Sequence, residues 1–437
     1  MARMSWLGGL AALGLVSSAL ASGAPDATQA QQYFETMQRQ CTADHGRLWG
    51  ASLCGPAMFV DPSTRRMVAN QADPKGVLKS EHGVYVGVLP SDVLIANTSV
   101  EWEGVRWIQM LWPVVGDEAR RRTLFAHESF HRIQPQVLPT EAGGDNVQLD
   151  TEQGRYTMLL EWRALAAALQ APNDADRRAR IADALLFRAE RYRLFPEAAA
   201  SENALERNEG VAEYTGVVVG NDTPSARVAM ALQDIQTHAG DPSLVRSFAY
   251  ATGPAYGLLL DRCAPHWREM LRQSSASLPQ LLAAALHLPA AQPSEAAVEQ
   301  RAARYGGSAL LAAEQQRAHE HQQLLDRYKT ALVDGPVLTI RLLDMHMQFN
   351  PNTVLSLGQA GTVYPHLKVI DDWGTLEVEQ GALLSGDWKR VTVSAPATPN
   401  GADVHGAGWR LQLKSGWELV PGTRHGDWTL RQVAAAH

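Results

Sequence analysis

In the stretch RRRTLFAHESFHRIQP, residues 120–135, two histidines stand four positions apart and a glutamate follows the first. On a helix that spacing puts His127 and His131 on one face, one turn apart, where they can grip a single metal ion. Glu128 lies about 100° round from His127. It therefore stands beside the ion's open position, where a carboxylate can act as general base to an activated water. Asp117 suits the N-cap of such a helix and Pro135 its end. Leu124, Phe125, Phe130 and Ile133 surround the motif with apolar residues, as expected of a helix buried beneath a cleft. Arg132, a charged residue, directly follows the second histidine.

A catalytic zinc ion needs a further protein ligand besides two histidines. Two glutamates compete for that place. Glu209 lies in ALERNEGVAEYTG, where helical spacing puts Glu206, Glu209 and Glu213 on one side; a solvated acidic stripe would look the same. Glu161 lies in TMLLEWRAL, with Met158, Ala164 and Leu165 as its helical neighbours. A carboxylate in that setting is expected to be buried and to need a partner. The metal, an arginine, or the second nitrogen of a ligating histidine would serve.

NEGVAEYTG resembles the Asn-Glu-Gly stretch of the gluzincin peptidases, the clan of thermolysin and the M1 aminopeptidases. The resemblance implies that Glu209 is the third Zn²⁺ ligand after His127 and His131, with Glu128 as catalytic base. SFAYATGPAYGLLLDR is similar to the Tyr-x-x-Gly helix start of the M1-like enzymes. That likeness implies that Tyr250 stabilises the oxyanion and that Gly253 completes the pattern, with Tyr256 as the alternative in another register. The strand-like RWIQMLWPV stands where gluzincins carry an edge strand that pairs with an extended peptide. The resemblance covers roughly residues 105–262 and departs from the clan in two respects. Arg132 is charged where the clan's helices carry an uncharged residue. His131 and Glu209 are also 78 positions apart, and two helical segments fill the gap, which keeps Glu161 in play as the ligand. The implied activity is hydrolysis of a peptide or protein substrate. Two rivals are a non-catalytic envelope binding protein on a peptidase scaffold and a zinc amidase acting on a cell-wall amide.

The elements that must position these residues follow from the pattern of the chain. Residues 1–21 carry a basic Arg3, an apolar run over residues 6–20, and Ala19-Leu20-Ala21 as a cleavage site, so they read as an export signal. A periplasmic or secreted protein with no stable membrane span is expected. Residues 22–116 alternate strand-like runs with Gly, Pro and Asn, residues 117–330 are helical, and residues 331–437 return to a period of two. The expected fold is α+β, a zincin-like catalytic domain followed by an all-β sandwich or barrel. Trp373, Trp388, Trp409, Trp417 and Trp428 read as the core of that last domain, with an aromatic ligand face as the alternative. A net charge of −7 with basic and acidic residues interleaved offers no footprint for nucleic acid. In an oxidising compartment Cys41 and Cys54 are the natural disulfide pair, and so short a loop contributes about 3 kcal/mol. Cys263 reads as a buried, inert thiol.

Overall fold

The computed structural model describes residues 25–138, 143–350, 353–398 and 401–433. The expected export signal lies outside the described residues. The chain is mixed α/β and divides into two compact units, the first ending at Leu311 and the second beginning at Ala312.

The first unit opens with α1 (Ala27–Asp44) and a six-stranded sheet. Its strands are β1 (Ala57–Val60), β2 (Arg66–Ala69), β3 (Lys79–Glu81), β4 (Val84–Val88), β5 (Thr98–Trp102) and β6 (Val105–Leu111), in the order β3-β4-β2-β1-β6-β5. Only the pair β1 and β6 is parallel. β1 is buried along its whole length because it has a core on each face. Phe34, Phe59 and Phe125 pack on one side; Met58, Trp102 and Trp107 pack on the other. One expectation is corrected here. The segment RWIQMLWPV forms β6, which is interior, and the edge strand is β5. Glu103 and Gly104 both take positive φ, the two-residue turn that folds β5 back on β6.

Helices follow: α2 (Glu118–Val137), α3 (Glu152–Leu169), α4 (Asp174–Leu194), α5 (Ala198–Leu205), α6 (Val211–Gly220), α7 (Pro224–His238) and α8 (Phe248–Cys263), then three short ones and the long helix Gly307–Lys329. A π-helical turn, Glu206–Gly210, joins α5 to α6. Side-chain caps start several of them: Asp117 on α2, Thr151 on α3, Asn173 on α4 and Thr223 on α7. Phe130, Trp162, Tyr214, Tyr256 and Trp267 fill the core between them.

Two contacts bring backbones unusually close. A Cβ on Gly216 of α6 would lie 2.7 Å from the Thr123 carbonyl oxygen of α2, and one on Gly253 of α8 would collide with the Gly210 carbonyl. Only glycine lets these helices approach so closely. Pro135, expected to end α2, lies inside it, and the helix runs on to Val137. Proline cannot donate to the His131 carbonyl, and the Ser99 hydroxyl of β5 does so instead, at 3.3 Å.

Cys41 and Cys54 form a disulfide. Cys263 is half-buried; its thiol donates to the Leu259 carbonyl at 3.3 Å, and burial pushes its pKa up. No helix among the described residues is long and apolar enough to cross a membrane.

The second unit is β-rich and holds two sheets. One runs Trp417–Pro421, Trp428–Gln432, Val337–Arg341, Arg390–Ser394, Ala382–Leu384, Thr362–Tyr364, Leu355–Ser356. The other runs Pro396–Thr398, Asp403–Gly406, Trp409–Leu413, Gly374–Val378, Leu367–Asp371, His346–Phe349. The alternating pattern of Leu367–Asp371 and Gly374–Val378 turns every second side chain inward, giving one core between the sheets. The five tryptophans divide. Trp373 and Trp409 are buried, with their indole N–H groups on the Arg341 and Ser394 carbonyls. Trp417 and Trp428 pack half-buried against the core, and Trp388 is exposed on a turn.

Candidate metal centre

α2 and the turn that leads into α6 together build a cluster of donor atoms. His127 Nε2 and His131 Nε2 lie 3.0 Å apart, as the one-turn spacing dictates. Glu209 Oε2 lies 3.7 Å from the first and 3.5 Å from the second. Ligands at about 2.0–2.1 Å from a tetrahedral ion stand roughly 3.3 Å from one another, so the triangle has the right size for one ion. All three side chains are largely withdrawn from solvent, and the group can hold a metal ion.

The outer nitrogens decide which way the lone pairs face. His127 Nδ1 lies 2.7 Å from Glu213 Oε2, one turn beyond Glu209 on the same face. A carboxylate only accepts, so Nδ1 carries the proton and Nε2 offers its lone pair to the cluster. His131 Nδ1 lies 2.7 Å from Gln134 Oε1. The Gln134 amide is oriented by its own nitrogen, which donates to the Arg207 and Asn208 carbonyls at 3.3 and 3.1 Å. Its oxygen therefore faces His131, and that ring too turns its lone pair inward. Two lone pairs and a carboxylate oxygen converge on one point, an arrangement that can hold a cation.

The electrostatics say the same. Burial works against a charged His127, yet hydrogen bonds with Glu209 and Glu213 hold its pKa well above the ordinary histidine range. His131 is raised as well, burial being outweighed by Glu209. Burial likewise opposes a charged Glu209, but the two histidines hold its carboxyl well below the usual range. The metal-free cluster thus takes up protons where a cation would sit.

Glu128 is fully buried, and among the described residues neither of its carboxylate oxygens has a hydrogen-bond partner. Burial pushes its pKa up, against the pull of His127 and His131. Tyr250 stacks on His127, with ring centroids 5.7 Å apart and planes 6° from parallel. Its hydroxyl donates to Glu209 Oε2 at 2.8 Å. Burial and the Glu209 charge push the phenol well above its ordinary range. The contact of Gly253 with Gly210 is what seats α8, and so Tyr250, against the Glu209 turn.

The other candidates lie elsewhere. Glu161 is held by Arg188 and Arg191 and accepts from the Tyr256 hydroxyl at 2.7 Å. The buried-partner expectation for Glu161 is met by arginines, and Tyr256 belongs with them. Glu206 joins the same network through Arg188. Glu206, Glu209 and Glu213 are all buried, so they do not form a solvated stripe. Arg132 points away from the donors; its guanidinium reaches the Ser52 and Cys54 carbonyls at 2.8 and 2.6 Å. That ties the metal helix to the disulfide loop, whose Trp49 packs on Phe130 and donates to Thr215 of α6 at 2.9 Å.

Sequence reading overlooked the roles of Glu213, Gln134 and Arg246. Glu213 had a signal, since it follows Glu209 by one helical turn, and Gln134 follows His131 by three positions. Arg246 had none, because only the loop before α8 carries it to Glu209. Compared with known proteins, the chain matches no family model, no curated protein and no solved structure.

Proposed function

We propose that the chain is an exported zinc-dependent hydrolase of gluzincin type that cleaves peptide bonds. The carrying observation is Glu128, a fully buried carboxylate with no hydrogen-bond partner among the described residues, set beside three converging donors. In a binding scaffold such a group only destabilises the fold, by the cost of an unsatisfied buried charge. In a hydrolase it is the base. Two imidazoles and one carboxylate suit Zn²⁺, which when bound polarises a carbonyl and acidifies water.

In this reading His127, His131 and Glu209 hold the ion, and Glu213 and Gln134 keep the two imidazoles in the ligating tautomer. Glu128 takes a proton from the attacking water and returns it to the departing amine. Its raised pKa favours that return. Tyr250, stacked beside His127, turns its hydroxyl from Glu209 to the developing oxyanion; losing one such donor typically costs about 3 kcal/mol. β5, the edge strand tied to α2 through Ser99, offers backbone groups for an extended peptide.

The test is Glu128→Gln, assayed on a peptide library with muropeptides alongside. The variant should keep its metal and lose turnover by about 100- to 10,000-fold. Hydrolysis at the wild-type rate would sink the mechanism.

A further inference from the structure

We infer that Arg246 selects substrates that carry a carboxylate beside the bond to be cut. This rests on the hydrolase reading and adds a substrate class to it. Arg246 lies in the loop that leads into α8, four positions before Tyr250. Its Nη2 is 3.7 Å from Glu209 Oε1, while the other oxygen of that carboxylate faces His127, His131 and Tyr250. The arginine side chain is 44% exposed, against 4% for Glu209 and 2% for His127. It therefore stands at the rim of the cluster, between the donors and solvent.

Arg246 combines that position with unused donor capacity. Arg132 and Arg207 are bound to backbone carbonyls, and Arg120, Arg122, Arg188 and Arg191 to carboxylates. Among the described residues the Arg246 guanidinium makes no hydrogen bond, and its contact with Glu209 is long. A guanidinium has five N–H donors in a fork that matches a carboxylate in bidentate fashion. Glu128, Glu209 and Glu213 would otherwise repel an anion at this rim. A positive group placed there reverses that preference locally. Arg246 Nη2 lies 3.7 Å from the Glu209 carboxylate, about the reach of one extended residue at about 3.3–3.6 Å. A carboxylate on the residue next to the reacting carbonyl meets that spacing.

The test uses the zinc-loaded full chain and two probes of equal size, the monohydroxamate of glutaric acid and its terminal-amide counterpart. Calorimetry should show the carboxylate probe binding about 10- to 100-fold tighter to wild type, the range of a charged hydrogen bond. Arg246→Met should bring the ratio close to one, and Arg246→Lys should restore part of it. Equal binding of both probes to wild type, or an unchanged ratio in Arg246→Met, would overturn the selection role and leave the hydrolase reading standing. Failure of zinc-loaded wild type to bind either hydroxamate would overturn both.

Discussion

The first unit holds two buried clusters of charge, and they differ in how far their polar atoms are satisfied. Around Arg188 and Arg191, Glu161, Glu202 and Glu206 form an ionic network in which every carboxylate oxygen is paired, although Arg191 Nη1 has no hydrogen-bond partner among the described residues. Arg188 Nε meets Glu161 at 2.8 Å and Arg191 Nε meets Glu202 at 2.8 Å, while Arg188 also holds Glu206 with both terminal nitrogens. Around His127 and His131, Glu209 and Glu213 take one side each, and Glu128 has no hydrogen-bond partner among the described residues. Both clusters are largely withdrawn from solvent, so burial alone does not mark the candidate site. Converging lone pairs and an orphaned carboxylate do.

The two clusters meet at the π turn. Glu206 opens it and faces α4, whereas Glu209, inside it, faces α2. A π turn carries more residues than an α-helical turn, so it rotates Glu206 off the face that Glu209 and Glu213 share. That rotation separates a structural ion pair from a candidate ligand within four positions of sequence.

The difference can be broken from the structural side first. Glu161→Gln should cost about 3–5 kcal/mol of stability in urea unfolding, because it leaves buried arginine charge uncompensated. Arg188 and Arg191 hold the Glu161 carboxyl below its ordinary pKa against the effect of burial. Its contribution is therefore present above the unfolded carboxyl's pKa and lost as pH falls through the depressed folded value. The folded variant should bind zinc like wild type; weaker binding would merge the clusters into one. On the metal side, Glu213→Gln should lower zinc affinity by about 10- to 100-fold, the usual effect of losing a histidine's outer partner. Unchanged affinity in a competition assay with a chelator would remove Glu213 from the centre.

A smaller effect sharpens the contrast by pH. His127 and His131 hold protons above the ordinary histidine range when no metal is bound, and a protonated imidazole cannot coordinate. Zinc affinity should be full above that raised range and fall as pH drops through it. Binding at pH 7 should release protons, measurable by calorimetry in buffers of different ionisation enthalpy. Zero release would contradict the assigned ligands.

Much of this was legible in the chain itself. The period-two and helical runs foretold a strand-rich start, a helical middle and a β-rich end, and the histidine spacing foretold one shared face. Glycines in NEG and in the Tyr-x-x-Gly segment were visible as pattern, but their mutual contact was not, because it joins positions 43 residues apart. The edge strand was misassigned since β5 and β6 both read as strands, and only pairing shows which lies at the edge. Choosing between Glu161 and Glu209 needed the position of α4, whose two arginines claim the first. Arg132 looked like a flaw in the motif until its carbonyl partners were known.

The central claim is that His127, His131 and Glu209 hold a metal. Its most direct test is the zinc content of wild type and Glu209→Gln after equilibration with zinc and removal of excess. One zinc per wild-type chain, lost in Glu209→Gln, is the predicted result. A wild-type chain without zinc, or a variant that keeps it at wild-type affinity, would contradict the account.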